Sequence, residues 1–183
     1  MRPHHSLCAA FVVTLLAAAG CASTPAPAPT PPNVPPALRP PAGQTLFLEA
    51  LATGVQIYEC APKADAPATF EWAFRAPEAS LADRNGHSIG RHYAGPTWES
   101  AADGSSAVGV VRARDPGPDA SAIPWLLLGA KSTDGDGMFV QTKSIQRVHT
   151  VGGIAPSSPC SAANVKEVAR VPYTATYYFY RAS

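Results

Sequence analysis

The sequence is poor in charge and has no block of either sign. Only 15% of its 183 residues are charged, and the formal net charge is +1. Arg2 lies in an N-terminal leader, and removing it from the 14 basic residues leaves 13, which equals the 13 acidic residues. The chain therefore lacks a basic stripe for nucleic acid and an acidic solvating tail, and we expect no nucleic-acid partner.

Strong helical patterns and internal repeats are also missing. Only residues 162–169 suggest a helix, and it would have about two turns. The 20 prolines and 14 glycines favour turns and extended segments over a helical protein.

The N-terminal residues have the pattern of a bacterial lipoprotein signal. A short polar head precedes an apolar run at 7–19, and the run leads into Ala18-Ala19-Gly20-Cys21. The run has signal-peptide length and is too short to span a bilayer. We therefore predict a signal peptide over 1–20 and lipid on the Cys21 sulfur. An ordinary secretory signal, cut near Ala22, is the alternative.

Lipidation at Cys21 would make the membrane a partner, contacted through the lipid anchor. Each buried CH₂ of an acyl chain contributes about 0.8 kcal/mol, so two or three chains hold firmly where one does not. Ala22 follows the cysteine where an inner-membrane retention signal would have aspartate. By the usual sorting rule for Gram-negative lipoproteins, this predicts an exported protein of the cell envelope at the outer membrane.

Residues 21–42 combine the predicted lipidated cysteine with a tether rich in proline and alanine. Proline fixes φ and removes a backbone donor, so we expect this tether to join neither a sheet nor a helix. It should form an extended polyproline-II spacer of about 3.1 Å per residue. Such a spacer would hold the domain away from the membrane. A docking site for a proline-reading partner is the alternative.

The remaining residues, 43–183, show hydrophobic patterns with a period of two. Residues 69–75 place three aromatic side chains on one face and charged side chains on the other, as in a half-buried strand. Asn85-Gly86 is a strong hairpin signal, and similar turn sequences separate other apolar runs. The pattern predicts one antiparallel all-β domain, either a sandwich or a barrel. The other predicted strands are 54–60, 107–114, 123–130, 138–148 and 171–181.

This domain contains two cysteines, Cys60 and Cys160, since Cys8 would leave with the leader. In an envelope protein, such a pair predicts a disulfide. It would close a loop of about 100 residues, for which the chain-entropy model gives at most about 4.7 kcal/mol. Two buried free thiols are the alternative.

Several motifs in this domain are distinctive when taken together. They are GVQIYEC at 54–60, GPTWES at 95–100, DGSSAVG at 103–109, IPWLLL at 123–128, IQRVHTVGG at 145–153, Cys160 and YTATYYFYR at 173–181. In this order they resemble domain-of-unknown-function family 3455, over a stretch from about Pro35 to Arg181. The resemblance implies a secreted or envelope context in bacteria or fungi. It implies no activity, since none is established for the family.

Some members of that family carry a malate dehydrogenase label, which the residues here do not support. A dinucleotide site needs a glycine-rich turn that leads from a strand into a helix, whose amides meet the pyrophosphate. Gly135-Asp136-Gly137 lacks the third glycine and precedes a strand-like segment. We therefore predict no nucleotide cofactor.

Two further constellations are weak. Gly86-His87-Ser88-Ile89-Gly90 matches G-x-S-x-G, but that nucleophile elbow requires a strand before the serine and a helix after it. Here a β-turn precedes the serine. Asp83, His87 and His92 match no established metal-ligand spacing. We predict no catalytic residue, no metal ligand and no cofactor.

A cluster of polar and aromatic residues is the best candidate for ligand binding. It joins His92 and Tyr93 with Trp98 and Glu99, and a second polar stretch contributes Arg147. Tryptophan and tyrosine have apolar bodies and polar tips and are frequent in ligand sites and interfaces. If both stretches line one barrel mouth, a small molecule or a glycan could bind there.

The same residues also admit a purely structural interpretation, in which Trp98 packs in the core and Glu99 pairs with Arg147 or Arg91. From the sequence we predict a non-enzymatic binding or structural module of the envelope, with a small-molecule, glycan or protein ligand. One alternative is a secreted hydrolase built around His92, Glu99 and Arg147. The other is an enzyme inhibitor with a protruding loop.

Overall fold

The structure is a computed structural model, and it describes residues 28–183. The predicted signal peptide, Cys21 and the first part of the tether lie outside the described residues. Eight antiparallel strands pair in chain order, and the last pairs with the first, which closes a barrel. The prediction of an all-β antiparallel domain is confirmed, and the architecture is a barrel. No helix among residues 28–183 has the length and apolar composition needed to cross a membrane.

Alternating inward and outward side chains explain why these segments pair as strands. Two short 3₁₀ turns, Pro36–Leu38 and Ala162–Asn164, complete the regular structure of the described chain. The strands are β1 Gln44–Pro62, β2 Phe70–Ala82, β3 Ser88–Tyr93, β4 Thr97–Ser100, β5 Ser106–Asp115, β6 Trp125–Asp134, β7 Ser144–Gly152 and β8 Val168–Ala182.

The long pairing of β1 with β8 defines the two ends of the barrel. Gln44 lies opposite Ala182 at one end, and Glu59 lies opposite Val168 at the other. We call the end at Glu59 the disulfide end, because Cys60 follows there. We call the end at Gln44 the plug end, because the loop between β6 and β7 closes it.

The predicted disulfide between Cys60 and Cys160 is confirmed. The two Cα atoms lie 5.5 Å apart, with 100 residues between them in sequence. The bond joins the end of β1 to the loop between β7 and β8. Beside it, the Cys60 amide donates to the Glu167 carbonyl (2.9 Å) and the Lys166 amide donates to the Cys60 carbonyl (2.8 Å). The β7–β8 loop is therefore tied firmly to the disulfide end.

Aromatic side chains fill the centre of the barrel. The Trp98 indole packs edge-on against Tyr177, with ring centroids 5.3 Å apart, and against Phe179 at 5.9 Å. All three are almost fully buried. Aromatic pairs in this geometry contribute about 0.5–1.5 kcal/mol each beyond their buried area.

A loop with an inserted phenylalanine closes the plug end. The Phe139 amide donates to Ser105 Oγ (3.1 Å), and its ring is fully buried against Phe179, with centroids 5.0 Å apart. The predicted strand at 138–148 is therefore wrong in its first part, because residues 138–143 form turns that aim this ring inward. Only the part from Ser144 onward is strand β7.

Part of the predicted tether belongs to the folded body. Val34 and Leu38 are buried against outward-facing side chains of β6, β7 and β8. Gln146 Nε2 donates to the Leu38 carbonyl (2.7 Å). The expectation that residues 22–42 join no helix is wrong for Pro36–Leu38, a 3₁₀ turn. The proline content favours an extended chain, but two apolar side chains four residues apart still bury on an apolar wall.

Two other local predictions need correction. Residues 162–169 form no two-turn helix; a short 3₁₀ turn ends at Asn164, and β8 begins at Val168. The predicted strand at 123–130 begins later, at Trp125, because Pro124 has no amide to give to the ladder.

Candidate functional site

A cavity of about 490 Å³ lies at the disulfide end of the barrel. Each of the eight strands contributes at least one side chain to its wall. Phe74 stands at the rim, where it is 52% exposed and packs edge-on against Tyr58, with ring centroids 5.7 Å apart. The wall is mainly apolar, with a few polar groups deep inside. This composition is typical of small-molecule sites.

His92 forms part of the inner wall. Its ring lies flat on Trp98, with centroids 4.4 Å apart, and its Nδ1 lies 2.8 Å from the Thr97 carbonyl oxygen. A carbonyl can only accept, so Nδ1 carries the proton and Nε2 carries the lone pair. Burial lowers the His92 pKa to about 3, and the bond to Thr97 opposes this shift only in part. The imidazole is therefore neutral at physiological pH.

Four buried polar atoms, three of them on residues of the cavity wall, have no hydrogen-bond partner in residues 28–183. They are Gln56 Nε2, Trp98 Nε1 and the hydroxyls of Tyr173 and Tyr177. Their residues are at most 3% exposed. The Tyr173 hydroxyl approaches Tyr177 and Gln56 without reaching hydrogen-bond geometry. Burial raises the pKa of both tyrosines, so both hydroxyls keep their protons.

Arg147 brings a positive charge to the same wall. Its Nε and Nη2 donate to the Pro124 carbonyl at 3.2 and 2.8 Å. It takes part in none of the ion pairs in the described chain. After the larger effect of burial, the Arg147 charge also influences the pKa of Tyr58, His92 and Tyr177, lowering each. The charge therefore acts across the cavity.

Glu99 and Tyr93 face away from the cavity. His92 lies opposite Trp98 in the β3–β4 ladder, so the alternation of strand side chains turns both neighbours to the outer wall. Glu99 accepts from Arg91 Nη2 (2.7 Å) and from the Tyr93 hydroxyl (2.6 Å). These two hydrogen bonds lower the Glu99 pKa. Glu99 therefore pairs with Arg91 on the outside of the barrel, and not with Arg147.

The structure therefore brings together three of the five candidate ligand-binding residues, His92, Trp98 and Arg147. Trp98 is both core and cavity wall. The hydrolase arrangement is not assembled, because the Glu99 carboxylate points to the opposite face from His92. A catalytic role for that trio has no geometric support.

Comparison with known proteins identifies the domain. A family model described as a protein of unknown function, DUF3455, matches residues 41–181. The chain belongs to this family. No curated protein and no solved structure matches the chain. The family description assigns no activity, so the function of this DUF3455 domain must be argued from its own cavity.

The sequence interpretation missed several residues of the DUF3455 cavity. Gln56 shares a strand face with Tyr58 and Cys60, and a glutamine on an apolar face is a signal for a buried polar site. Tyr173 and Tyr177 share one face of β8, but the same pattern fits ordinary core packing. Only the closed barrel shows that these two strands meet, since β1 and β8 lie at opposite ends of the domain sequence.

The remaining weak motifs of this DUF3455 chain have simple structural roles. Ser88 is exposed at the start of β3, and a strand follows it instead of a helix. Asp83 accepts from the backbone amides of Asn85 and His87, which builds the hairpin turn. No group of three or more metal-ligating side chains occurs in the part of the chain that the structure describes.

Proposed function

We propose that this DUF3455 domain is a non-enzymatic binding module that takes a small, mainly apolar molecule into the cavity at the disulfide end. One observation carries the proposal: the cavity of about 490 Å³ is lined by Gln56, Trp98 and Tyr177, whose side chains hold buried polar atoms that have no partner within residues 28–183. Leaving such an atom unsatisfied costs about 1–3 kcal/mol. A ligand that pairs with them would recover part of that cost, which favours binding.

The contrast between the two barrel ends supports this proposal. An eight-stranded barrel is just wide enough either to be filled by its own side chains or to hold one small ligand. The plug end is filled, because Phe139 is inserted there. The disulfide end stays open above Trp98 and Tyr177. A barrel with only a structural role would gain stability from being filled at both ends.

The cavity wall is also held in place before any ligand arrives. The Tyr58 hydroxyl donates to the Gly153 carbonyl (2.7 Å), and Thr150 Oγ1 donates to the Ile123 carbonyl (2.7 Å). The disulfide fixes the adjacent β7–β8 loop. A preformed site loses little conformational entropy on binding, which favours affinity.

The test is a titration of the mature, oxidised protein that follows the three tryptophan indole N–H signals by NMR. The probes are 2-naphthylmethanol, 2-naphthoate and decanoate. We expect at least one of them to shift the Trp98 signal saturably. The Trp72 signal should move little, because its N–H is already bonded to the Ser158 carbonyl (2.9 Å). If no probe shifts the Trp98 signal, the proposal fails.

A pair of adjacent substitutions provides the control. Val111 lines the cavity, whereas Val110 is 37% exposed on the outer wall. Val111→Phe should fill the cavity and abolish the shift of the Trp98 signal. Val110→Phe adds the same volume outside and should leave binding intact. Equal loss of binding in both variants would contradict a ligand inside the barrel.

We also propose that the domain is anchored to the outer membrane through lipid on Cys21. The leader pattern supports this, and so does the disulfide, because disulfides persist in oxidising compartments. Val34 already packs on the barrel, so the spacer available to such an anchor is residues 22–33. Fully extended, these would reach about 37 Å. Mass spectrometry of the mature N-terminus tests the anchor, and Cys21→Ala should release the protein from the membrane fraction.

A further inference from the structure

We infer that the chemical group recognised inside the cavity is the carboxylate of an organic acid, bound by Arg147 and the buried donors around Tyr177. This inference rests on the proposed binding function and deepens it. It assigns the ligand a class: a compact acid with an apolar or aromatic body.

The buried polar groups at the cavity include an excess of hydrogen-bond donors. Trp98 Nε1 can only donate, and Gln56 Nε2 can only donate. The Tyr177 hydroxyl keeps its proton and has no acceptor among residues 28–183. A ligand group that only accepts, such as a carboxylate with two oxygens, satisfies several of these donors at once. A donor group, such as an ammonium, would leave them unpaired.

The charged side chains that line the cavity are positive. Among residues 28–183, no aspartate or glutamate lines the cavity, whereas three arginines do. Arg75 is already paired with Glu59, with Nη2 and Oε1 3.1 Å apart. Arg114 and Arg147 take part in no ion pair of the described chain. A cavity with unpaired positive charge in low-dielectric surroundings attracts an anion more strongly than water-exposed arginines would.

The Arg147 side chain is held in a fixed orientation. Its Nε and Nη2 are held by the Pro124 carbonyl, which fixes the guanidinium plane. A guanidinium has five N–H donors in a rigid fork. Nη1 makes no hydrogen bond within residues 28–183, and the guanidinium lies close to the Tyr177 hydroxyl. The group is therefore oriented in advance and keeps donors free for an oxyanion.

The apolar wall determines the rest of the molecule. Val111, Leu126 and Leu128 line one side of the cavity, and Phe74 and Tyr58 stand near its rim. The barrel interior beyond Trp98 is filled, so the ligand body must be compact or extend outward past Phe74. A sugar would bury many hydroxyls against these side chains without partners, which is unfavourable.

The experiment compares two probes with the same apolar body. These are 2-naphthoate and 2-naphthylmethanol, titrated into the mature oxidised protein and followed at the Trp98 indole signal. We expect the acid to bind at least about tenfold more tightly, a difference of about 1.4 kcal/mol. Equal affinities would overturn the inference and leave the proposed binding function standing. If neither naphthyl probe binds and decanoate also leaves the Trp98 signal unchanged, the proposed function itself fails.

Two variants test the assigned residues. Arg147→Gln should remove the preference for the acid, and Tyr177→Phe, which deletes only one buried hydroxyl, should weaken acid binding by about tenfold. Arg112 is exposed on the outer wall and absent from the cavity, so Arg112→Gln is the matched control and should keep the full preference. A preference for the acid that survives in both cavity variants would overturn the assignment, even if one of them folds poorly.

Discussion

The imidazole of His92 lies flat against the indole of Trp98, with ring centroids 4.4 Å apart and planes 12° from parallel. The two residues are directly opposite each other in the β3–β4 hairpin. Side chains opposite each other on one face of an antiparallel ladder are close neighbours. This short hairpin therefore places a neutral imidazole beside an indole whose N–H has no hydrogen-bond partner within residues 28–183, both in the cavity wall.

The burial of His92 should make stability depend on pH. Burial lowers its pKa in the folded protein to about 3, from an ordinary value of 6.5. Between these pH values the unfolded chain therefore binds a proton that the folded protein does not. Stability is thus fully present above pH 6.5 and falls as pH decreases toward 3, by on the order of 5 kcal/mol from this group. Urea unfolding at pH 7, 6, 5 and 4 would measure the effect.

The control for this prediction replaces each of two histidines in turn. His92→Phe keeps an aromatic ring and should reduce the pH slope near pH 5 by about one proton. His87 is exposed in the β2–β3 turn, so His87→Asn should keep the wild-type slope. The prediction is wrong if both variants give the same slope.

The Asp103 carboxylate should stabilise the plug loop. It accepts from the Met138 amide (3.0 Å) and from the Ser105 amide (2.8 Å). Hydrogen bonds from Ser105 and Met138 lower its pKa to about 2. The stabilisation is therefore present above pH 3.8 and is lost as pH falls toward 2. Asp103→Asn should lower the urea midpoint at pH 7 and speed amide exchange at Met138.

Asp136 offers a matched control for this carboxylate, because it is exposed in the loop between β6 and β7, which Asp103 contacts from the β4–β5 loop, and it makes no side-chain hydrogen bond in the described chain. Asp136→Asn should leave both the urea midpoint and the exchange rate at Met138 unchanged. Identical behaviour of the two variants would show that the plug does not depend on Asp103.

The docked N-terminal segment should contribute measurably to folding. Leu38 is fully buried against the outer wall, and truncating such a leucine costs about 2–5 kcal/mol. We expect this loss for Leu38→Ala in urea unfolding at pH 7. Leu51→Ala, at a residue that is 38% exposed, should cost much less. Deleting residues 22–33 should leave stability unchanged, whereas a deletion that extends to Leu38 should reproduce the loss.

The disulfide should preserve the cavity as well as the fold. Replacing both Cys60 and Cys160 by alanine removes a constraint worth at most about 4.7 kcal/mol. The first segment to loosen should be the β7–β8 loop, which the bond ties to β1. Hydrogen exchange should therefore increase most at 153–167, and affinity for 2-naphthoate should fall. Unchanged exchange in that loop, with normal binding, would contradict this role.

Much of the fold could be predicted from local patterns. Alternation identified most strands, and Asn85-Gly86 marked the β2–β3 turn, because both signals depend on neighbouring residues only. Residues 138–143 were mistaken for the start of a strand because Phe139 and Val140 are aromatic and β-branched, the residue types that are frequent in strands. Val34 and Leu38 were assigned to a spacer because the surface that buries them is made mainly by β5 to β8, which lie far along the chain.

The candidate site was predicted only in part, because local patterns do not show which distant residues come into contact. The residues around Trp98 were predicted to bind a ligand because of their composition. Composition, however, does not say which side chains of a strand face inward. Register sends His92 and Trp98 into the barrel and Glu99 out to Arg91. Arg147 lies in β7, far from β3 and β4 in sequence, and the closed barrel brings it to the same cavity.

The sequence by itself determined the all-β class, the disulfide and the family, because patterning, cysteine count and ordered motifs are properties of the chain alone. The tertiary structure alone decided that the sheet closes and that one end remains open. Closure depends on β1 pairing with β8, a contact between distant segments. That pairing places Gln56 near Tyr173, with Tyr177 further along β8 opposite Ala50. The closed interior holds buried polar groups that have no hydrogen-bond partner within residues 28–183.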